Sequence, residues 1–485
     1  MFAYYALAVI AFLIIYYLVL KHDHSNKEPP GPKPWPIIGN LLDLAKASDN
    51  MTLSMGTLAE KYGEIYSLKI DGIQKDRWVQ FLSFIVILTS KEAIQTIFTN
   101  EATFARDFSG MFADRSFNKN LGIALSEGEV WEKLRPWAFK TLREFGFGKS
   151  SDMEHFIQDA SQRLFASIDD KIRTDKKSCD LDVELLFNDS ILSIMWQMIV
   201  GQLSPKTNRI VNAFPFLRFV FPKALGYDVQ MDYFNTSNTV ALNLFKEMQE
   251  KWTTSHITPT NLLEAFVQNC STDPKIFNSS ENFQLTFQDL HLASTDTSST
   301  YMEFVMLYLV TYPDVQEKIY REILKVAPDG RAFRFSDRKE MPYLQAFFLE
   351  THRKGRVLQN LLPRRALSDL AYKDYIIKKD TIIMADTRLY NESEENWTDP
   401  DAFRPERFLN EDGQVVNAGN IISFSFGKRN CPGELHANIV AFLLTTSLLQ
   451  RYKLSVPKGH EKPRLDMRPG LTLKPYPFQA TFAKR

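Results

Sequence analysis

The chain has only three cysteines in 485 residues, Cys179, Cys270 and Cys431, and they lie far apart. That excludes a disulfide framework and every paired-cysteine zinc or redox site. Surplus charge is also missing, because 58 Lys and Arg balance 58 Asp and Glu. Nucleic-acid binding rests on a basic excess that neutralises phosphates, so no nucleic acid is expected as a partner. Neither GxGxxG nor a P-loop occurs, and Gly146-Phe147-Gly148-Lys149 has the spacing of neither. The chain shows no sign of binding a dinucleotide of its own. No internal repeat and no long linker follow residue 41. What is abundant is Phe, at 37 residues, in a composition that is 44% hydrophobic and 24% charged. This is ordinary globular composition with a large core.

Phe2 to Leu20 carries no charge. As a helix this stretch spans about 28 Å, close to the hydrocarbon thickness of a bilayer. A cleaved signal peptide would need a basic start and a small-residue cleavage site, and neither is present. Residues 2–20 are therefore expected to be an uncleaved transmembrane anchor. Lys21, Lys27 and Lys33 follow it, which keeps the body of the chain cytosolic. The sequence from Pro29 to Pro36 is too rich in proline for a helix. Residues 21–41 read as a semi-rigid hinge, and 42–485 as one domain.

That domain is expected to be α+β and predominantly helical. Apolar periodicity predicts helices over Ile157–Ile172, Val183–Val200, Thr239–Trp252, Phe287–Leu309, Asp314–Lys325, Tyr343–Arg353 and Leu435–Arg451. Short strand patterns occupy Glu64–Ile70, Phe84–Leu88 and Thr381–Met384.

Cys431 stands in the segment Phe424-Ser-Phe-Gly427-Lys-Arg429-Asn-Cys431-Pro-Gly433, directly before an apolar helix. Backbone N–H groups and the positive end of a helix dipole favour a thiolate there, and Arg429 adds positive charge. On these grounds the residue is a metal ligand, a nucleophile or an inert buried cysteine, and physics alone does not choose. The segment nevertheless fills every fixed position of FxxGxRxCxG: Phe424, Gly427, Arg429, Cys431 and Gly433. Glu350-Thr-His-Arg353 fits an ExxR helix, Pro405-Glu406-Arg407-Phe408 a PERF motif, and Trp131-x-x-x-Arg135 a WxxxR helix. These motifs stand in the order found in the cytochrome P450 monooxygenases, and essentially the whole chain resembles that family. Asp337-Arg338 and Met341-Pro342-Tyr343, with the Pro-rich hinge, resemble the animal microsomal branch.

The resemblance implies the P450 fold, a large helical domain plus a small β-rich part, with one N-terminal transmembrane helix. It implies haem b (iron protoporphyrin IX) with Cys431 as axial ligand, where a thiolate donates electron density that favours O–O cleavage. Trp131, Arg135 and Arg429 become the propionate donors. Glu350, Arg353 and Arg407 become a buried ionic triad that holds the cysteine loop. The stretch Ala293 to Thr300 reads by itself as the N-cap of a helix starting near Tyr301. By resemblance it is the family's oxygen-activating helix, in which Thr297 bonds dioxygen and Asp296 relays protons. Departures are Ser294 in place of a glycine, Pro136 in place of an arginine, and no histidine at Tyr390-Asn391-Glu392.

The implied activity inserts one oxygen atom of O2 into a lipophilic small molecule. The electrons come from an NADPH-dependent flavoprotein reductase, with cytochrome b5 as an additional donor. The implied location is the endoplasmic reticulum membrane, with the catalytic domain cytosolic. Lys133, Arg135, Lys140, Arg143 and Lys428 form a candidate docking patch for an acidic flavoprotein, or merely a solvated face. Phe214, Phe216, Phe219 and Phe221 read equally as membrane contact or core packing. Phe112 and Phe117 fall where the family roofs its pocket. The competing functions are a haem-thiolate isomerase or dehydratase, which needs no external electrons, and a membrane haem protein without turnover.

Overall fold

The computed structural model describes residues 27–35, 38–48, 51–70, 83–107, 110–172, 177–201, 227–254, 258–277 and 279–485. The expected anchor at 2–20 and the Phe214–Phe221 cluster lie outside them. Among the described residues no helix is long and apolar enough to cross a membrane. The chain forms two compact units.

The smaller unit comprises Met1–Gly110, Asn360–Thr398 and Ser425–Arg429. Its centre is a five-stranded sheet in the order Ile65–Ile70, Ser83–Leu88, Ile382–Asp386, Asn360–Arg365, Ala105–Arg106. The first pair is antiparallel with Ile65 opposite Leu88, and the second is parallel with Ile85 opposite Ile382. Between Leu361 and Arg364 the register shifts, which is where Pro363 sits. Proline has no N–H for the ladder, so an irregularity is the place it fits. Leu44, Met55 and Ala59 pack with Tyr66, Leu68, Ile87 and Ile382 to form this unit's core. The helix Lys91–Thr99 is capped by Ser90, whose hydroxyl accepts from Ala93 N at 3.1 Å.

The larger unit comprises Met111–Gln359, Asp399–Phe424 and Asn430–Arg485. Its axis is a 32-residue helix, Ser280–Thr311. The helices Asn188–Val200, Tyr227–Thr254, Pro342–Gly355 and Glu434–Arg451 pack against it. From Ser298 to Thr311 this helix is buried on every face, as a helix at the centre of a bundle must be. Its N-cap is Ser279, whose hydroxyl accepts from Asn282 N at 3.1 Å, so the N-cap expected near Tyr301 is replaced by a helix running straight through. The hydroxyl-rich turn is accommodated because the side chains bond back along the helix. Ser294 donates to His291 O at 3.2 Å, Thr297 to Ala293 O at 2.6 Å and Ser299 to Thr295 O at 2.7 Å.

The helix expected from Val183 begins only at Asn188, preceded by the strand Ser178–Asp182. Leu185 has φ of 67°, which no helix continues through. The strand pairs with Gln479–Lys484, which also pairs with Tyr452–Ser455. A hairpin joins Met467–Arg468 to Lys474–Pro475. Pro136 lies inside the helix Gly128–Glu144 with its ring exposed, and the helix continues on both sides of it.

Candidate active site

The cysteine loop is shared in sequence by both units, with 425–429 in the smaller and Phe424 and 430–433 in the larger. In the smaller unit Gly427 has φ of 73°, and an added Cβ would collide with the Phe98 carbonyl oxygen. Glycine is the residue that fits this position. The Arg364 guanidinium stacks 3.8 Å from the Phe98 ring centroid, donates to Phe98 O and reaches Phe426 O at 2.7 Å. Arg429 is 3% exposed, and its Nε donates to Phe104 O at 2.8 Å. Two buried arginines therefore hold 426–429 through backbone carbonyls. The motif marks Arg429 but gives no hint of Arg364.

In the larger unit Cys431 N donates to Phe424 O at 2.8 Å, which closes the loop. The helix Glu434–Arg451 starts three residues later. Cys431 is exposed, whereas Cys179 and Cys270 are half-buried. Its thiol is nevertheless raised, first by the protein packed around it. The Gly433 N–H, the Arg135 guanidinium and the Glu434 N–H pull it down. Its amide and guanidinium neighbours favour a thiolate against that burial. Arg135 Nη2 donates to Asn430 O at 2.6 Å, one residue before the cysteine. Trp131, one turn earlier on the same helix, is 8% exposed.

Glu350 and Arg353, on Pro342–Gly355, form a two-pronged pair. Arg353 Nε reaches Oε2 and Nη2 reaches Oε1, both at 2.8 Å, and neither side chain is exposed. Arg407 Nε donates to Oε1 at 3.1 Å and Arg404 N to the same oxygen at 2.9 Å. Both arginines also donate to Ala402 O at 3.1 Å, tying the PERF segment to the ExxR helix.

Asp296 and Thr297 occupy adjacent positions on the long helix. The Thr297 hydroxyl hydrogen is already used by Ala293 O, and its oxygen lone pairs remain available as acceptors. Asp296 Oδ1 accepts from Lys474 Nζ at 2.7 Å and Oδ2 from Thr472 Oγ1 at 2.8 Å. Sequence reasoning missed Thr472 and Lys474, and no local pattern links positions 176 and 178 residues apart. It also missed Asp289, which is buried with Arg115 and accepts from Ile123 N at 2.8 Å and Ala124 N at 2.9 Å. That pair pins the segment after Phe117 to the long helix. Phe117 itself is 38% exposed.

The expected basic patch is partly neutralised. Lys133 pairs with Asp273 at 2.9 Å and Glu129 at 3.1 Å, and Lys428 with Glu101 at 2.7 Å. Lys140 and Arg143 are exposed.

His436, in the first turn after the cysteine loop, is 2% exposed, and neither ring nitrogen has a hydrogen-bond partner among the described residues. Its ring stacks on Phe147 at 4.9 Å. Burial pushes its pKa from 6.5 down to about 4. The unfolded chain therefore binds the extra proton first. Stability contributed by the neutral ring is intact above pH 6.5 and falls as pH drops towards 4, by up to about 3 kcal/mol. His436→Leu removes this dependence. Urea midpoints at pH 7.5 and 5 check it, with the variant losing less than the parent on acidification.

The family model described as Cytochrome P450 matches residues 29–482. Farnesoate epoxidase of Bombyx mori is 28% identical, with 99% of this chain and 98% of that protein covered. Cytochrome P450 2D1 of Rattus norvegicus is 30% identical, covering 97% and 95%. Cytochrome P450 2J3 of the same species is 29% identical, covering 97% and 93%. The cysteine loop, the glutamate–arginine triad and a match along nearly the full length lead to one conclusion, that this chain belongs to the cytochrome P450 family of haem-thiolate monooxygenases.

Proposed function

We propose that Cys431 would hold the haem iron through its sulfur, and that the enzyme oxidises a lipophilic small molecule at the endoplasmic reticulum membrane. Electrons arrive from an NADPH-dependent flavoprotein reductase, with cytochrome b5 as an additional donor. Residues 2–20 anchor the chain, 21–41 are the hinge and 42–485 the catalytic domain. Haem b is the family's cofactor. The donor set fits it: an accessible sulfur at a helix start, met by two backbone N–H groups and Arg135. That sulfur is the observation that carries the reading. Arg135 and Arg429 would hold propionates, since guanidinium pairs with carboxylate through two parallel bonds, and Trp131 would donate its indole N–H. Phe424, Gly427 and Gly433 shape the loop. A haem held there would supply the dioxygen-activating chemistry, to which the Cys431 thiolate would lend electron density. Thr297 offers an oxygen acceptor for a proton donor in the pocket, and Asp296 carries protons to that side of the helix.

The reading is tested by supplying purified protein with reductase, NADPH and a panel of lipophilic compounds. The name of one relative states epoxidation of farnesoate, so unsaturated isoprenoid acids and esters belong in the panel. NADPH-dependent oxygen consumption with an oxygenated product supports the reading. Product without oxygen uptake favours the isomerase or dehydratase alternative. Thr297→Ala should fold and bind haem normally yet divert NADPH to hydrogen peroxide, about 10-fold or more. Peroxide and product measured per NADPH check this, and unchanged partition removes the role given to Thr297.

A further inference from the structure

We propose that Lys474, in the C-terminal hairpin, is a positioning residue that fixes the orientation of the Asp296 carboxylate and faces it with a positive charge. This rests on reading Asp296 as the proton relay. Both carboxylate oxygens of Asp296 are held by that single hairpin, Oδ1 by Lys474 Nζ at 2.7 Å and Oδ2 by Thr472 Oγ1 at 2.8 Å. A carboxylate gripped at both oxygens from one side has a single orientation. The hairpin is itself held in place. Leu473 N, between the two donors, bonds to Val357 O at 2.9 Å. Arg468, opposite Lys474 in the ladder, pairs with Glu184 at 2.6 Å.

As a stabilising ion pair the contact is weak. The side chains of Lys474 and Asp296 are 26% and 33% exposed, and pairs of that exposure contribute under about 1 kcal/mol. Its consequence lies in geometry and charge. Without the ammonium, Asp296 loses its cationic neighbour and one of its two fixed bonds. Thr472 alone leaves the carboxylate free to rotate about that bond. The neighbouring group on the packed helix Tyr227–Thr254 is Tyr233, whose phenol is pushed up to about 12 by burial and by the negative charge of Asp296. A neutral phenol cannot replace the ammonium. The ammonium of Lys474 bonds the Asp296 carboxylate, and it is through that bond that it is taken to act.

The test uses the full-length holoenzyme with its reductase and compares Lys474→Met, Lys474→Gln, Lys474→Arg, Asp296→Asn and the Lys474→Met/Asp296→Asn double variant. Product and hydrogen peroxide per NADPH report coupling. Amide hydrogen exchange across 467–475 reports the hairpin contact independently of activity. Lys474→Met and Lys474→Gln should lower product per NADPH by about 5- to 10-fold, with substrate dissociation constants unchanged. Exchange at Leu473 should speed up in both. Lys474→Arg should restore coupling to within about 2-fold, since it keeps the charge and a donor. The double variant should match Asp296→Asn alone. If Asp296→Asn uncouples and neither Lys474→Met nor Lys474→Gln does, the proposal is overturned while the Asp296 reading stands. Additive losses in the double variant also overturn it, because Lys474 would then act by another route. Unchanged coupling in Asp296→Asn removes the reading beneath it, and the proposal with it.

Discussion

Cys431→His should yield a folded, haem-binding protein that has lost more than about 100-fold in turnover. The scale follows from what ligand environments are worth. Removing an outer hydrogen-bond partner of a ligand typically costs about 10- to 100-fold, and the ligand itself costs more. Folding survives because the side chain is exposed and the loop is closed by backbone, Cys431 N to Phe424 O. The imidazole can still hold iron but lacks the negative sulfur that favours O–O cleavage. Product formed per minute, at equal haem content, is the measurement. Turnover within 2-fold of the parent would remove Cys431 from the chemistry.

The second large effect is on stability. Glu350→Ala leaves the Arg353 and Arg407 guanidinium groups, 0% and 5% exposed, without their carboxylate. Stranding buried charge costs about 3–5 kcal/mol, against a total stability of about 5–15 kcal/mol for a folded protein. Arg404 N loses its acceptor as well. The variant should unfold at a much lower urea concentration and accumulate poorly as holoprotein. The intact triad need not add much net stability, because desolvation offsets its attraction. Replacing all three residues by apolar ones of similar volume should therefore cost less than Glu350→Ala alone. Urea midpoints of the single and triple variants decide this, and a triple variant worse than the single would contradict it.

These sites differ in how far the sequence exposed them. Cys431, Glu350, Arg353 and Arg407 were legible because the motifs place fixed residue types at fixed spacing. Most helices were legible from periodicity, such as Pro313–Val326, whose buried residues recur on one face. The long helix was legible from Phe287 to Leu309, and only its hydroxyl-rich turn, taken by itself, suggested a cap, since serines and threonines signal a cap in isolation yet bond back to carbonyls once surrounded by protein. The segment after Val183 was misread because its apolar residues continue the helical pattern, whereas 184–187 form a turn with Leu185 at a positive φ and the helix starts only at Asn188. Gln479–Lys484 passed unnoticed because its alternation is short and depends on partners almost 300 residues earlier. Separations of 178, 174 and 266 residues likewise hide Lys474 from Asp296, Asp289 from Arg115 and Arg364 from Phe98. Such contacts form only when the fold brings remote segments together.

The central claim is the bond between the sulfur of Cys431 and haem iron. Its most direct measurement is the carbon monoxide difference spectrum of the dithionite-reduced parent protein, recorded beside Cys431→His. The parent should show the long-wavelength Soret band of a thiolate-ligated ferrous complex, and the variant the shorter-wavelength band of nitrogen ligation. A variant that keeps the thiolate band, or a parent that never shows it, contradicts the assignment.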